Sequence, residues 1–200
     1  EYTVSENDMK VCKFGGTSMA SGNVILTAAD IIRADKERRY VVVSAPGKRF
    51  SGDIKVTDLL YACSDEVEAG NLAAFQETFD KIRVRFVNIE KEIGKDLKIE
   101  EALNEVEKEI VSGAGRDYCA SRGEYFAAKI MAAVLGIPMI DATEFVRFDE
   151  HGVLKQEETF ALGEKVLSKY ERAVIPGFYG FGADGKVKTF SRGGGDISGS

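Results

Sequence analysis

Apolar residues recur along this chain with two different periods, and the switches between them predict alternating strands and helices. Met9-Lys-Val-Cys-Lys-Phe14 reads as a short strand and is followed at once by Gly15-Gly16-Thr17-Ser18. Behind that tight loop Val24, Ile25, Ala28, Ile31 and Ile32 fall at 3.6-residue spacing, a helix for which Ser21 is the expected cap. Tyr40-Val-Val-Val-Ser44 is a β-branched run closed off by Pro46 and Gly47, as a strand buried on both faces should be. Strand, helix, strand in that order predicts a parallel α/β sheet.

From Val56 to Gly113 the period is helical. Segments beginning at Asp58, Phe75 and Ile99 carry apolar residues three and four apart, which predicts three helices forming a lid or flank. A fourth helix is expected from about Glu124 to Leu135, ending at Gly136 ahead of Pro138. Further on, Ile137–Ile140 reads as a third buried strand, Phe145–Phe148 as part of a short hairpin, Glu157–Tyr170 as a helix and Ala173–Ile175 as another strand. Phe178–Phe190 reads as a β-hairpin around Ala183-Asp184-Gly185, because Asp-Gly supplies the positive φ that a tight turn needs. No period of 20 to 50 residues recurs, which argues against a solenoid. Together these elements predict a three-layer α/β/α sandwich around a mainly parallel sheet, its site at the carboxyl ends of the strands.

Composition narrows the partners. Of 200 residues 44% are hydrophobic and 30% charged, an ordinary globular balance that excludes disordered, fibrous and membrane-embedded classes. The net charge is −6 and no basic cluster stands clear of neighbouring acids, so nothing resembles a nucleic-acid footprint and a small molecule is the expected partner. Cys12, Cys63 and Cys119 are odd in number, far apart and never in a CxxC pair, which fits a reducing cytoplasm rather than a disulfide framework or zinc site. Residues 1–8 are polar and acidic, unlike a secretory signal, and read as a leader or tag ahead of Met9. The domain expected is 9–200, and its close on a glycine loop suggests a longer natural product.

Glycine is the informative excess, with 21 in the chain and eight of them between Gly177 and Gly199. Lys13-Phe14-Gly15-Gly16-Thr17-Ser18 puts a lysine at a strand end beside glycine amides that an anion can approach closely, and a phosphate is its natural occupant. It is not a Walker A loop, because the lysine precedes the glycines. Ser191-Arg192-Gly193-Gly194-Gly195-Asp196 offers a guanidinium fork, which suits a carboxylate, with flexible amides and an acid. Each also has a plain reading, as a surface turn with an exposed lysine or a turn with a surface ion pair. Glu124, in Ser121-Arg122-Gly123-Glu124, reads by itself as an acid in the first turn of a helix, favoured by the helix dipole. Thr57 reads by itself as a helix cap, and Ser44-Ala45-Pro46-Gly47-Lys48 as a post-strand loop of the kind that gathers ligands. His151 and the acidic run from Glu100 to Glu109 read as solvated surface.

Taken in order, KFGGTS, VVVSAPGKR, KVTDLL, SRGE and FSRGGGD resemble the catalytic domain of the aspartokinases, within the amino acid kinase family. The resemblance runs from about Met9 to the last residue, and the SAPGKR and KVTDLL pair is most similar to the monofunctional enzymes of Gram-positive bacteria. It implies transfer of the ATP γ-phosphoryl group to the β-carboxylate of L-aspartate, giving 4-phospho-L-aspartate for lysine, threonine and methionine biosynthesis, with magnesium (Mg2+) accompanying ATP. By the same resemblance Lys13 would contact the transferring phosphoryl group, and Phe14, Gly15, Gly16 and Ser18 would line the phosphate loop. Ser44 and Thr57 would face aspartate, Glu124 would take its α-amino group, Arg192 with Gly193 its α-carboxylate, and Asp196 would organise Lys13 and the reacting centre. The metal ligands are not assigned.

One departure concerns Gly195, which stands where the family usually carries a serine before the aspartate; one lost hydrogen bond costs about 0.5 to 1.5 kcal/mol. The family's nucleotide half and its two ACT regulatory domains would lie downstream, so these 200 residues alone are expected to bind ATP poorly and to be inactive, and a homodimer or higher homo-oligomer is expected of the full-length protein. Alternative readings are another amino acid kinase, acting on glutamate, acetylglutamate or carbamate, and a non-catalytic amino-acid-binding module.

Overall fold

Strands β1 (Lys10–Phe14), β2 (Arg38–Val43) and β3 (Ala173–Pro176) form an all-parallel sheet in the order β1-β2-β3. The computed structural model describes residues 9–190; the expectations for Arg192, Gly193, Gly195 and Asp196 lie outside the described residues. The registers Phe14↔Val43 and Val43↔Pro176 bring all three carboxyl ends level.

Because successive strand residues face opposite ways, the apolar run of β2 serves two cores. Val41 and Val43, with Val174 of β3, belong to a large core built with α1 (Gly22–Arg33), α2 (Val56–Glu68), α3 (Leu72–Ile93), α4 (Ile99–Val111) and α5 (Arg116–Leu135). Tyr40 and Val42, with Ala173 and Ile175, belong to a second core containing Phe145, Phe148, Tyr179 and Phe190. This second face is covered by α6 (Gln156–Leu167) and by the hairpin of β4 (Tyr179–Phe181) and β5 (Val187–Thr189). The expected three layers are therefore present. The three helices between Val56 and Gly113 share the large core with α1 and α5 and so form only part of one layer, α5 being the helix that lies against β2 and β3.

Several local expectations are corrected. α5 starts at Arg116, two turns before Glu124, so Ser121-Arg122-Gly123 lies inside the helix. Its end at Gly136, with φ +70°, is as expected. Ser21 occupies the cap position of α1 without a side-chain cap; Glu92 of α3 accepts from the Gly22 amide at 2.5 Å instead. Ile137–Ile140 is no full strand, since only Met139 bridges Val174, although the segment runs beside β3 through Val174 N–H to Pro138 O and Ile140 N–H to Val174 O, both 2.9 Å. The hairpin expected at Phe145–Phe148 is present only at its end, where Phe148 pairs antiparallel with Leu154 through Asp149 N–H to Val153 O and Lys155 N–H to Arg147 O, both 2.9 Å, while Arg147 bridges Phe181. The β4–β5 hairpin forms with Gly185 at φ +77°, the conformation its Asp-Gly turn requires. No helix among the described residues is long and apolar enough to cross a membrane.

Candidate functional site

The level carboxyl ends of β1 and β2 deliver two loops to one place. After Phe14 the chain turns through a short 3-10 helix, Gly16–Met19; after Val43 it runs through Ser44–Lys55 to the start of α2. The loops are joined by Ser44 N–H donating to Phe14 O at 3.0 Å and Gly47 N–H donating to Gly16 O at 2.8 Å. Their backbones approach so closely that a Cβ on Gly16 would lie 3.1 Å from the Ala45 carbonyl oxygen and from Gly47 Cα. Glycine at both positions is what this approach demands.

Beside this junction lies a cavity of about 380 Å³ lined by Gly16, Thr17, Ser44–Lys48, Lys55, Thr57 and Glu124. Four of the expected site residues, Gly16, Ser44, Thr57 and Glu124, are thus brought together from β1, β2, α2 and α5. Lys13 and Gly15, both exposed, and the partly buried Phe14 and Ser18 belong to the same strand and turn but do not line the cavity. Thr57 is not a cap, because Lys55 holds that position and Thr57 is the second residue of α2. His151 is exposed, as expected.

Glu124 is the chemically unusual member. Gly123 lets α5 press against the post-β2 loop, where a Cβ would fall 2.6 Å from that of Ala45, and Glu124 comes to rest against Ala45. The residue is 5% exposed, and one carboxylate oxygen, Oε2, has no hydrogen-bond partner. Burial pushes its carboxyl up to about 8 from an ordinary 4.5, while the Ala45 backbone amide acts the other way by favouring the ionised form. The first-turn reading of Glu124 therefore fails: it sits in the third turn of α5, beyond the helix-dipole region, where burial without a partner for Oε2 favours the protonated carboxyl. Its charge also raises the phenols of Tyr61 and Tyr179, although burial is the larger cause for both.

The preceding arginine serves packing. Arg122 is buried among the rings of Tyr118, Tyr125 and Tyr179 at 4.6, 4.5 and 5.7 Å, and its Nε donates to Ser121 Oγ at 3.0 Å. This cation–π cage ties α5 to β4. Around the cavity itself, Lys48 and Lys55 add positive charge to the same lining as the buried acid. Lys55 escaped the sequence reading; its position just ahead of an α2 that begins Val56-Thr57-Asp58 was the available signal. Hydroxyls of Ser44 and Thr57, two lysines and a buried carboxyl with one unpartnered oxygen make a site suited to a small polar molecule bearing both an ammonium and anionic groups.

Comparison with known proteins agrees in scale and fold. The profile of the amino acid kinase family matches residues 8–200. Aspartokinase 3 of Bacillus subtilis (strain 168) is 36% identical over 207 residues, covering 96% of this chain and 45% of that protein. The aspartokinase of Chlamydia muridarum is 30% identical, covering 95% and 44%. Among solved structures, Clostridium acetobutylicum aspartate kinase superposes with a TM-score of 0.89 at 42% identity, over 94% of this chain and 43% of that one. Aspartokinase III of E. coli in complex with aspartate and ADP gives 0.80 at 25% identity, over 95% of this chain and 45% of that one. The chain thus spans somewhat less than half the length of these relatives.

Proposed function

The chain belongs to the amino acid kinase family, and on that premise we propose that it serves an aspartate kinase, transferring the ATP γ-phosphoryl group to the β-carboxylate of L-aspartate. The observation that carries this reading is the buried Glu124 carboxyl with its unpartnered oxygen, facing a cavity whose other charges are lysines. An α-ammonium is the group it calls for. With the ammonium held there, the remainder of aspartate lies among Ser44, Thr57 and the two lysines, where its carboxylates find hydroxyl donors and positive charge. The complex of E. coli aspartokinase III with aspartate and ADP supports the choice of amino acid and nucleotide.

In the reaction one β-carboxylate oxygen forms a bond to the γ-phosphorus while the bond from that phosphorus to the β,γ-bridging oxygen breaks, and ADP leaves with the electron pair. A carboxylate is already a nucleophile at neutral pH, so no strong base is needed, and positioning with charge neutralisation carries the catalysis. Lys13, at the end of β1, and the amides of the Gly15–Ser18 turn are assigned to the transferring phosphoryl group. Arg192, Gly193 and Asp196 keep the roles the family pattern assigns them, with the substrate α-carboxylate and the reacting centre. No group of three or more His, Cys, Asp or Glu side chains among the described residues could hold a metal ion; magnesium enters this reading as the counter-ion of the nucleotide phosphates. The reading places the reaction in the cytoplasm, on a full-length protein assembled as a homo-oligomer.

The test is a hydroxylamine trap on the full-length protein with ATP and magnesium, comparing L-aspartate with L-glutamate and wild type with Lys13→Ala. Hydroxamate from aspartate alone, lost in the variant, is the expected outcome. A folded wild type that makes none from either amino acid would turn the reading to a binding module.

A further inference from the structure

Arg85 of α3 is outside the cavity lining and only 4% exposed, yet its guanidinium gathers the segments from which the cavity is built. Nε donates to the Ala20 carbonyl at 3.2 Å, Nη1 to an Asp53 carboxylate oxygen at 2.8 Å, and Nη2 to the Gly47 carbonyl. Ala20 closes the turn that begins at Gly16, Gly47 is the point where the two loops touch, and Asp53 lies two residues before Lys55. Asp53 is fixed in turn by Arg49, whose amide, Nε and Nη2 donate to it at 2.9, 2.7 and 2.8 Å.

We propose that Arg85 is a positioning residue: one buried guanidinium sets the mutual geometry of the Gly16 turn, the Ser44–Lys48 loop and the entry to α2, and hence of the cavity between them. No other described side chain hydrogen-bonds to all three segments. The planar fork of arginine is what allows it, since a lysine ammonium is a compact point charge on a flexible stem and cannot hold three partners in the same fixed directions. Nothing here requires Arg85 to touch substrate. The activity readout rests on the kinase reading above, whereas the backbone readout rests on geometry alone.

The experiment uses the full-length protein and compares wild type, Arg85→Lys, Arg85→Ala with and without guanidinium at a non-denaturing concentration, and Arg83→Lys as control. Arg83 lies on the same helix but pairs with Asn104 and Glu107 of α4 at 2.7 and 2.5 Å, away from the cavity. Aspartate-dependent kcat/KM is expected to fall about a hundredfold in Arg85→Lys, the scale of a misplacement near 1 Å. Arg83→Lys is expected to leave it unchanged, and added guanidinium to restore part of the loss in Arg85→Ala. Amide hydrogen exchange is expected to quicken in residues 14–20 and 44–57 while α4 keeps its protection. Unchanged exchange in a folded Arg85→Lys overturns the proposal, whether or not turnover falls. If neither Arg85 variant folds, Asp53→Asn is read by the same exchange criterion. Should wild type fail to phosphorylate aspartate, the kinase reading falls and exchange alone decides the role of Arg85.

Discussion

Gly16 and Gly47 meet backbone to backbone: the Gly47 amide donates to the Gly16 carbonyl at 2.8 Å, and a Cβ on Gly47 would lie 2.7 Å from the Gly16 carbonyl carbon. Neither partner can swing aside, because one loop leaves β1 and the other β2, and those strands are locked in register through Phe14 and Val43. Gly47→Ala should therefore separate the loops. The expected cost is about 1–3 kcal/mol, that of forcing a methyl group into a packed site, together with weakened amino-acid binding. Urea denaturation and titration calorimetry read the two effects, and an unchanged unfolding midpoint would mean that the loops part without strain.

Glu124 gives the protein a pH dependence with a definite sign. Its folded pKa is raised to about 8 from an ordinary 4.5, so between those values the folded chain holds a proton that the unfolded chain has released. Stability against unfolding therefore falls as pH rises through that window, by about 1.4 kcal/mol for each unit of separation at most, and levels off above it. Glu124→Gln should remove this slope, giving a variant more stable than wild type at pH 8 and little different at pH 4.5. Thermal unfolding across the range checks it. An ammonium-bearing ligand needs the ionised carboxylate, so aspartate should bind more tightly as pH rises toward 8 and release a proton when it binds below that. Calorimetry in buffers of different ionisation enthalpy measures that proton, and Glu124→Gln should lose both the proton and most of the affinity.

The buried thiols make a second chemical probe. Burial pushes Cys63 up to about 12 and Cys119 up to about 11, whereas Cys12 is only partly buried. Since the thiolate is the nucleophile, iodoacetamide at neutral pH should modify Cys12 first and reach the other two only as the chain unfolds. Intact-mass analysis over time tests this, and prompt labelling of Cys63 would mean that the packing around α2 is open.

Much of the architecture was legible in the residues because the periods are clean. The β-branched run at Tyr40–Val43 is buried throughout, and in α1 the 3.6-residue spacing finds the buried Ile25, Ala28 and Ile32, although Val24 and Ile31 of the same stripe are exposed. The start of α5 was not legible, since Ser121-Arg122-Gly123 has the composition of a loop. Gly123 is there for the approach of Ala45, a contact between residues 78 positions apart, which no local rule can register. In the same way the third turn of Glu124 in α5 hid its burial, and the burial is what gives it chemical interest. Arg85 could not be found at all from sequence. An arginine in an amphipathic helix reads as solvated surface until the chain brings Ala20, Gly47 and Asp53 around it.

The pairing of β2 with β3 joins Tyr40 to Ala173 and Val43 to Pro176, and its consequence concerns time. Everything between those partners, including α2 to α6, must be gathered before the sheet can close. Contacts among neighbouring helices close short loops and can form early, while a parallel pairing across so long a stretch has to wait for them. The helical flank is then the first layer to condense and β3 the last strand to dock. A nascent chain would hold the glycine loops of β1 and β2 together well before the second face of their sheet is sealed, and the transition state for folding would have little of β3 in it.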